Sequence, residues 1–135
     1  MLLKFLAKYR DAGLLFLRIG LGIAFVIHGL PKLTGGPKVW KVIGSAMGQV
    51  GIDQWPEMWG FLASVTEGIG GVLLVLGAFY RPTCLLLTFT MFVATLHLSG
   101  GKGSDFRAYA HPLELAVVFF GLAFIGPGKF SVDKD

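Results

Sequence analysis

Four stretches of this chain are apolar for long enough to cross a lipid bilayer, and that fixes the class of fold before any motif is considered. A hydrocarbon core about 30 Å thick needs about 20 apolar residues in a helix, or slightly fewer where flanking side chains snorkel. The stretches cover about 13–30, 57–80, 82–98 and 112–126. The first follows Lys4, Lys8 and Arg10 and stops at Pro31, and the second enters at Pro56 between Trp55 and Trp59 and has Tyr80 at its other end. These are the places for interfacial aromatics and a helix-starting proline. Ser99-Gly100-Gly101 closes the third and Gly126-Pro127-Gly128 the fourth. Of 135 residues 54% are hydrophobic and 15% charged, against about 25% charged in a soluble domain. The expected fold is all-α, a polytopic four-transmembrane-helix bundle forming one membrane domain over 1–135. A short interfacial helix is expected in the first loop, within 39–50, where Trp40, Ile43 and Met47 recur at helical spacing.

The basic N-terminal run resembles a secretory signal, yet no small-x-small cleavage site follows it, so the first helix is expected to stay in the protein. A net charge of +4 is spread between apolar runs with no basic stripe, which argues against nucleic acid as a partner. Cys84 is the single cysteine, excluding intramolecular disulfides, CxxC chemistry and thiolate zinc sites. Any redox chemistry must then rest on a bound cofactor or a partner protein. Four crossings put both termini on one side with Lys4, Lys8, Arg10, Arg81, Lys129 and Lys134, against Lys32, Lys38, Lys41, Lys102 and Arg107 opposite. The bias between the two sides is slight, and only the basic start of the chain favours cytoplasmic termini.

Ionisable residues interrupt the apolar stretches at Arg18, His28, Glu67, His97 and Glu114. A charge in hydrocarbon costs roughly 2.5–3.5 kcal/mol on insertion scales, so such residues normally face protein or water. At a rise of about 1.5 Å per residue, His28, Glu67, His97 and Glu114 lie roughly 22, 20, 22 and 18 Å from the terminal face, and Arg18 roughly 8 Å. Glu67 shares a helical face with Gly60, Ser64, Gly71 and Ala78; His97 lines up with Thr90 and Thr83, Glu114 with Gly121, and Arg18 with Gly22, Phe25 and Gly29. Strips of small residues are where membrane helices pack closely. Several readings stand side by side. Glu67 with Arg18 or His28 makes a structural ion pair; His97, His111 and Glu114 are interfacial residues near helix ends; or the layer relays protons, hydrogen-bonds a quinone, or, as the weakest case, holds a metal through His97, His111 and Glu114. Gly13, Gly20 and Gly29 offer close-packing surfaces either inside the bundle or between copies in a homo-oligomer.

The motifs Arg18-x-x-x-Gly22-x-x-Phe25-x-x-His28-Gly29-x-x-Lys32, Glu67-x-x-Gly70-Gly71-x-x-Leu74-x-x-Gly77, Glu114-Leu115-Ala116 and Gly126-Pro127-Gly128-Lys129-Phe130-Ser131-Val132-Asp133 run in order through nearly the whole chain. In these it resembles the DoxX family of small four-helix bacterial and archaeal membrane proteins. The resemblance implies an inner-membrane location and a link to oxidoreductase systems, with related sequences serving as the membrane subunit of a thiosulfate:quinone oxidoreductase and others joining soluble enzymes in redox-stress complexes. It brings no agreed catalytic residue, and whether the chain is itself an enzyme stays open. The leading expectation is a redox subunit binding quinone, or a similar lipid-soluble carrier, at His28, Glu67, His97 and Glu114, with Arg18 nearby. The alternative is a non-enzymatic scaffold or assembly factor that docks a partner protein through Lys32, Lys38, Lys41 and Trp40.

Overall fold

In a computed structural model, which describes residues 2–101 and 103–134, five α-helices follow one another. They are α1 Arg10–Thr34, α2 Pro37–Gly44, α3 Pro56–Leu76, α4 Tyr80–Ser99 and α5 Phe106–Ile125, with 3-10 turns at Lys4–Tyr9 and Ser45–Val50. Four segments are long and apolar enough to cross a membrane: Lys4–Thr34, Pro56–Leu76, Tyr80–Ser99 and Phe106–Ile125. The all-α membrane bundle expected from the sequence is thus the fold, and α2 with the 3-10 turn after it occupies the first loop. Lys102, counted above among the cations opposite the termini, lies outside the described residues.

Helix ends differ from the apolar boundaries for local reasons. Proline removes one intrahelical hydrogen bond but does not forbid a helix, and α1 runs through Pro31 to Thr34, stopping at Gly35 and Gly36, the latter at φ 85°. Gly77 at φ 69° ends α3, so Tyr80 opens α4 instead of closing the helix before it. The Asp105 carboxylate accepts the Arg107 N–H and starts α5 at Phe106, which leaves Pro112 inside the helix.

Backbone contacts at glycine hold the first half together. A methyl group added at Gly22 would lie 2.6 Å from the Gly71 carbonyl oxygen, and one at Gly29 would collide with the backbone of Gly68. Further along, α2 lies on the start of α3 in the same way, Gly44 against the Pro56 carbonyl and Gly60 against the Trp40 carbonyl. Together α1 and α2 form an interrupted rod running antiparallel to α3. On the other side of α3, Gly70 receives Thr83 and Leu87 of α4, and α4 pairs along its length with α5. The circuit closes differently. No Cα of α1 lies within 8 Å of one in α5, and the two meet through Phe25 and Phe119, edge to face with centroids 5.2 Å apart. Leu74, Tyr80, Leu87, Phe119 and Leu122 fill the interior, while Phe16, Ile27, Val117 and Phe124 face outward, as a lipid solvent allows.

Candidate polar site within the bundle

Glu67 lies near the middle of α3, about 17 Å from its start at Pro56. Its Oε2 takes a 2.7 Å charge-assisted bond from Nζ of Lys32, the one salt bridge among the described residues. The glycine contact of Gly29 with Gly68 sets this up, because it brings the last turns of α1 against α3 beside Glu67. Side chains on a helix lean toward its N-terminus, so the Lys32 stem points back into the span and not out toward the loop. The pair is asymmetric: the Glu67 side chain is 7% exposed and that of Lys32 40%. A carboxylate from the interior therefore meets an ammonium that reaches the bundle surface. At 100° per residue Leu14, Leu21, His28 and Lys32 fall within a strip about 40° wide on α1. Leu14 belongs to the buried core and Leu21 packs against it, whereas His28, one turn before Lys32, is exposed.

Arg18 has a different task. It is 2% exposed and meets neither Glu67 nor solvent. Its Nε donates to the Leu74 carbonyl at 3.1 Å, Nη2 to Val75 at 3.0 Å and Nη1 to Pro127 at 2.9 Å. The last four carbonyls of a helix have no partner within it, and at α3 all four are met. Leu73 accepts from Gly77 and Ala78, Leu74 and Val75 from Arg18, and Leu76 from the Val132 N–H. A guanidinium is also the charge suited to a helix C-terminus. The open φ of Gly77 makes room, since a methyl there would lie 3.0 Å from the Arg18 Cζ. The C-terminal segment completes this face: the Asp133 N–H donates to Gly77, and the two Asp133 carboxylate oxygens accept the Phe79 and Tyr80 N–H groups that open α4.

The expected layer of two imidazoles and two carboxylates is not gathered into one buried pocket. His28, His97 and Glu114 are exposed, and only Glu67 of the four is buried. The physical reason is azimuth: equal depth sets height along the bundle, and each side chain still points where its own helix face is turned. Glu114 and Gly121 share a face of α5, but it is turned away from the bundle, with nothing near Gly121. Among the described residues no three His, Cys, Asp or Glu side chains are placed to hold a metal ion, so His97, His111 and Glu114 do not assemble as ligands. Of the four docking residues, Lys32 is committed to Glu67, and Trp40 donates its indole N–H to the Lys32 carbonyl at 3.1 Å and packs on Phe61. Lys38 and Lys41 remain exposed.

From sequence Lys32 stands out as a motif residue and a docking cation, but the partners offered for Glu67 are Arg18 and His28. Lys32 lies beyond Pro31, and a helix stopped at that proline would leave it in a loop. The usable signal was its i+4 spacing from His28.

These features define a multi-pass membrane protein built as two tight helix pairs, with an ion pair joining the last turn of α1 to the middle of α3. The chain belongs to the DoxX family, whose model matches residues 13–100. Among its relatives are an uncharacterized protein of Haemophilus influenzae, 33% identical with 96% of this chain and 94% of that one aligned. Two Escherichia coli proteins, inner membrane protein YqjF and inner membrane protein YphA, are each 29% identical, covering 94% of this chain and 94% and 96% of their own lengths. No solved structure matches the chain significantly.

Proposed function

We propose that this DoxX protein is an inner-membrane subunit of a redox system, with cytoplasmic termini, and that it takes a quinone or similar lipid-soluble carrier beside the Lys32–Glu67 pair. The observation that carries this reading is the asymmetry of the pair at the middle of α3, a buried carboxylate joined to a lysine whose side chain is 40% exposed. Charge half-open to hydrocarbon is costly, and a polar headgroup against it lowers that cost. The ammonium suits a carrier's carbonyl oxygen. Glu67 would hold or release the proton that must accompany each electron, and the two electrons would come from a partner redox protein. The wide spacing of α1 and α5 gives a flat ring an approach from lipid along the strip that holds His28 and Lys32. His97 and Glu114 have no part in this narrower site.

The test is quinone titration of the detergent-purified protein, read by tryptophan quenching, with quinone extracted from the native preparation as a second measure. Glu67→Gln and Lys32→Met should each weaken binding at least about tenfold, equivalent to about 1.4 kcal/mol, while His97→Ala leaves it unchanged. Equal binding by all four proteins would end the proposal. The scaffold alternative rests on one observation, exposed Lys38 together with exposed Lys41 on the wall of a cavity of about 530 Å³ that Trp55, Pro56, Glu57 and Met58 complete. Stable recovery of a partner protein with no carrier, lost in a Lys38→Glu/Lys41→Glu variant, would favour it instead.

A further inference from the structure

At the terminal face, where α1 and α5 stand apart, a cavity of about 380 Å³ is lined by Arg10, Lys129 and Lys134, with Leu14 and Ile125 on its apolar side and Asp11 and Asp133 completing the wall. The two acids accept backbone N–H groups, and three cations beside them leave the lining with a net positive charge. Asp11 accepts the Lys129 N–H at 3.1 Å, and both oxygens of Asp133 cap α4, whose positive end offsets the charge. None of the three cations has a carboxylate partner among the described residues. Lys129 lies over the Phe130 ring, and Lys134 makes a long 3.5 Å bond to the Ser131 carbonyl. The preceding 3-10 turn carries two further cations, Lys4 and Lys8, with Leu2, Leu3, Phe5 and Leu6 exposed in the same segment. Cations and apolar side chains thus line one cavity, beside the start of α1 and the segment that follows α5.

We infer that this cavity is a binding site for an acidic phospholipid, its phosphate held by Arg10, Lys129 and Lys134 and an acyl chain running over Leu14 and Ile125 between α1 and α5. The ligand chemistry is a phosphate anion joined to a long apolar chain. Guanidinium and ammonium groups favour the phosphate, and a Lys or Arg near an anionic membrane surface strengthens attachment about fivefold each. The wide spacing of α1 and α5, which Phe25 and Phe119 close deeper in the span, leaves room for the chain. This site is separate from the Lys32–Glu67 pair and does not depend on the function proposed for it.

Native mass spectrometry of the whole protein in neutral detergent reads the inference directly. Added phosphatidylglycerol should be retained over phosphatidylcholine of the same chain length by at least about tenfold. The Arg10→Gln/Lys129→Gln/Lys134→Gln variant, which alters exposed side chains, should lose that preference, while Lys38→Gln/Lys41→Gln on the opposite face keeps it. Millimolar inorganic phosphate should leave the lipid adduct in place. Equal retention of the two lipids, an unchanged preference in the triple variant, an equal loss in the Lys38/Lys41 variant, or displacement by free phosphate would each overturn the assignment.

Discussion

Arg18 and Lys32 are both cations within the first membrane-spanning segment, yet they do opposite kinds of work. Arg18 closes the end of α3 through three carbonyls, and its planar fork reaches all of them from one position. Arg18→Met would leave the Val75 and Pro127 carbonyls without donors and Leu74 with only the Gly77 N–H, and we expect a loss of about 3–5 kcal/mol in unfolding measured by SDS titration. Arg18→Lys should recover only part of it, because an ammonium cannot span the three acceptors. Lys32→Met strands a buried carboxylate, but the lysine is partly exposed, so about 1–3 kcal/mol is the reasonable scale after screening. The double variant Lys32→Met/Glu67→Leu should be more stable than Lys32→Met alone, and a double-mutant cycle showing simple additivity would contradict the pairing. From sequence, Arg18 was recognisably out of place in an apolar run. Its destination was not legible, since a helix terminus and a tail more than 100 residues away supply the acceptors.

At the scale of elements, glycines decide how close the rods come. Gly29 and Gly60 meet backbone directly, whereas Gly13, Gly20 and Gly121 have nothing within 4 Å. Gly29→Ala and Gly60→Ala should therefore separate helices and lower the thermal midpoint in detergent, each by an amount matching roughly 2–4 kcal/mol. Gly20→Ala should be neutral or slightly stabilising, because alanine favours a helix by about 1 kcal/mol over glycine. A similar fall at Gly20 would indicate a contact outside this chain, such as a second copy. The face of Glu67 was readable in part: Gly60, Ser64 and Gly71 are buried along it, whereas Ala78 lies beyond Gly77, outside α3, and is half-buried. For His97 and Glu114 the same alignment with small residues misled. Periodicity relates residues on one helix to each other but carries no information about which side of the helix another helix covers.

For the whole molecule, number and length of crossings followed from hydrophobicity alone, because a bilayer permits few alternatives once four apolar segments are present. The order of packing did not, since it depends on long-range contacts such as the tail on α3 and α4. Asp133→Ala should remove a shared cap from two backbone N–H groups and cost about 1–2 kcal/mol in the same SDS titration. Single cysteines at Lys8 and Lys134 in a Cys84→Ser background should label from the same side of sealed vesicles; labelling from opposite sides would break the four-crossing topology. The Phe25–Phe119 contact has one more implication. Two of the four neighbouring pairs around the ring, α1 with α3 and α4 with α5, are closely packed, α3 meets α4 more sparsely, and α1 and α5 are joined at a single aromatic rivet. Fluctuations of the protein should concentrate there, so that changes in lateral pressure within the bilayer act mainly by widening or narrowing this one seam.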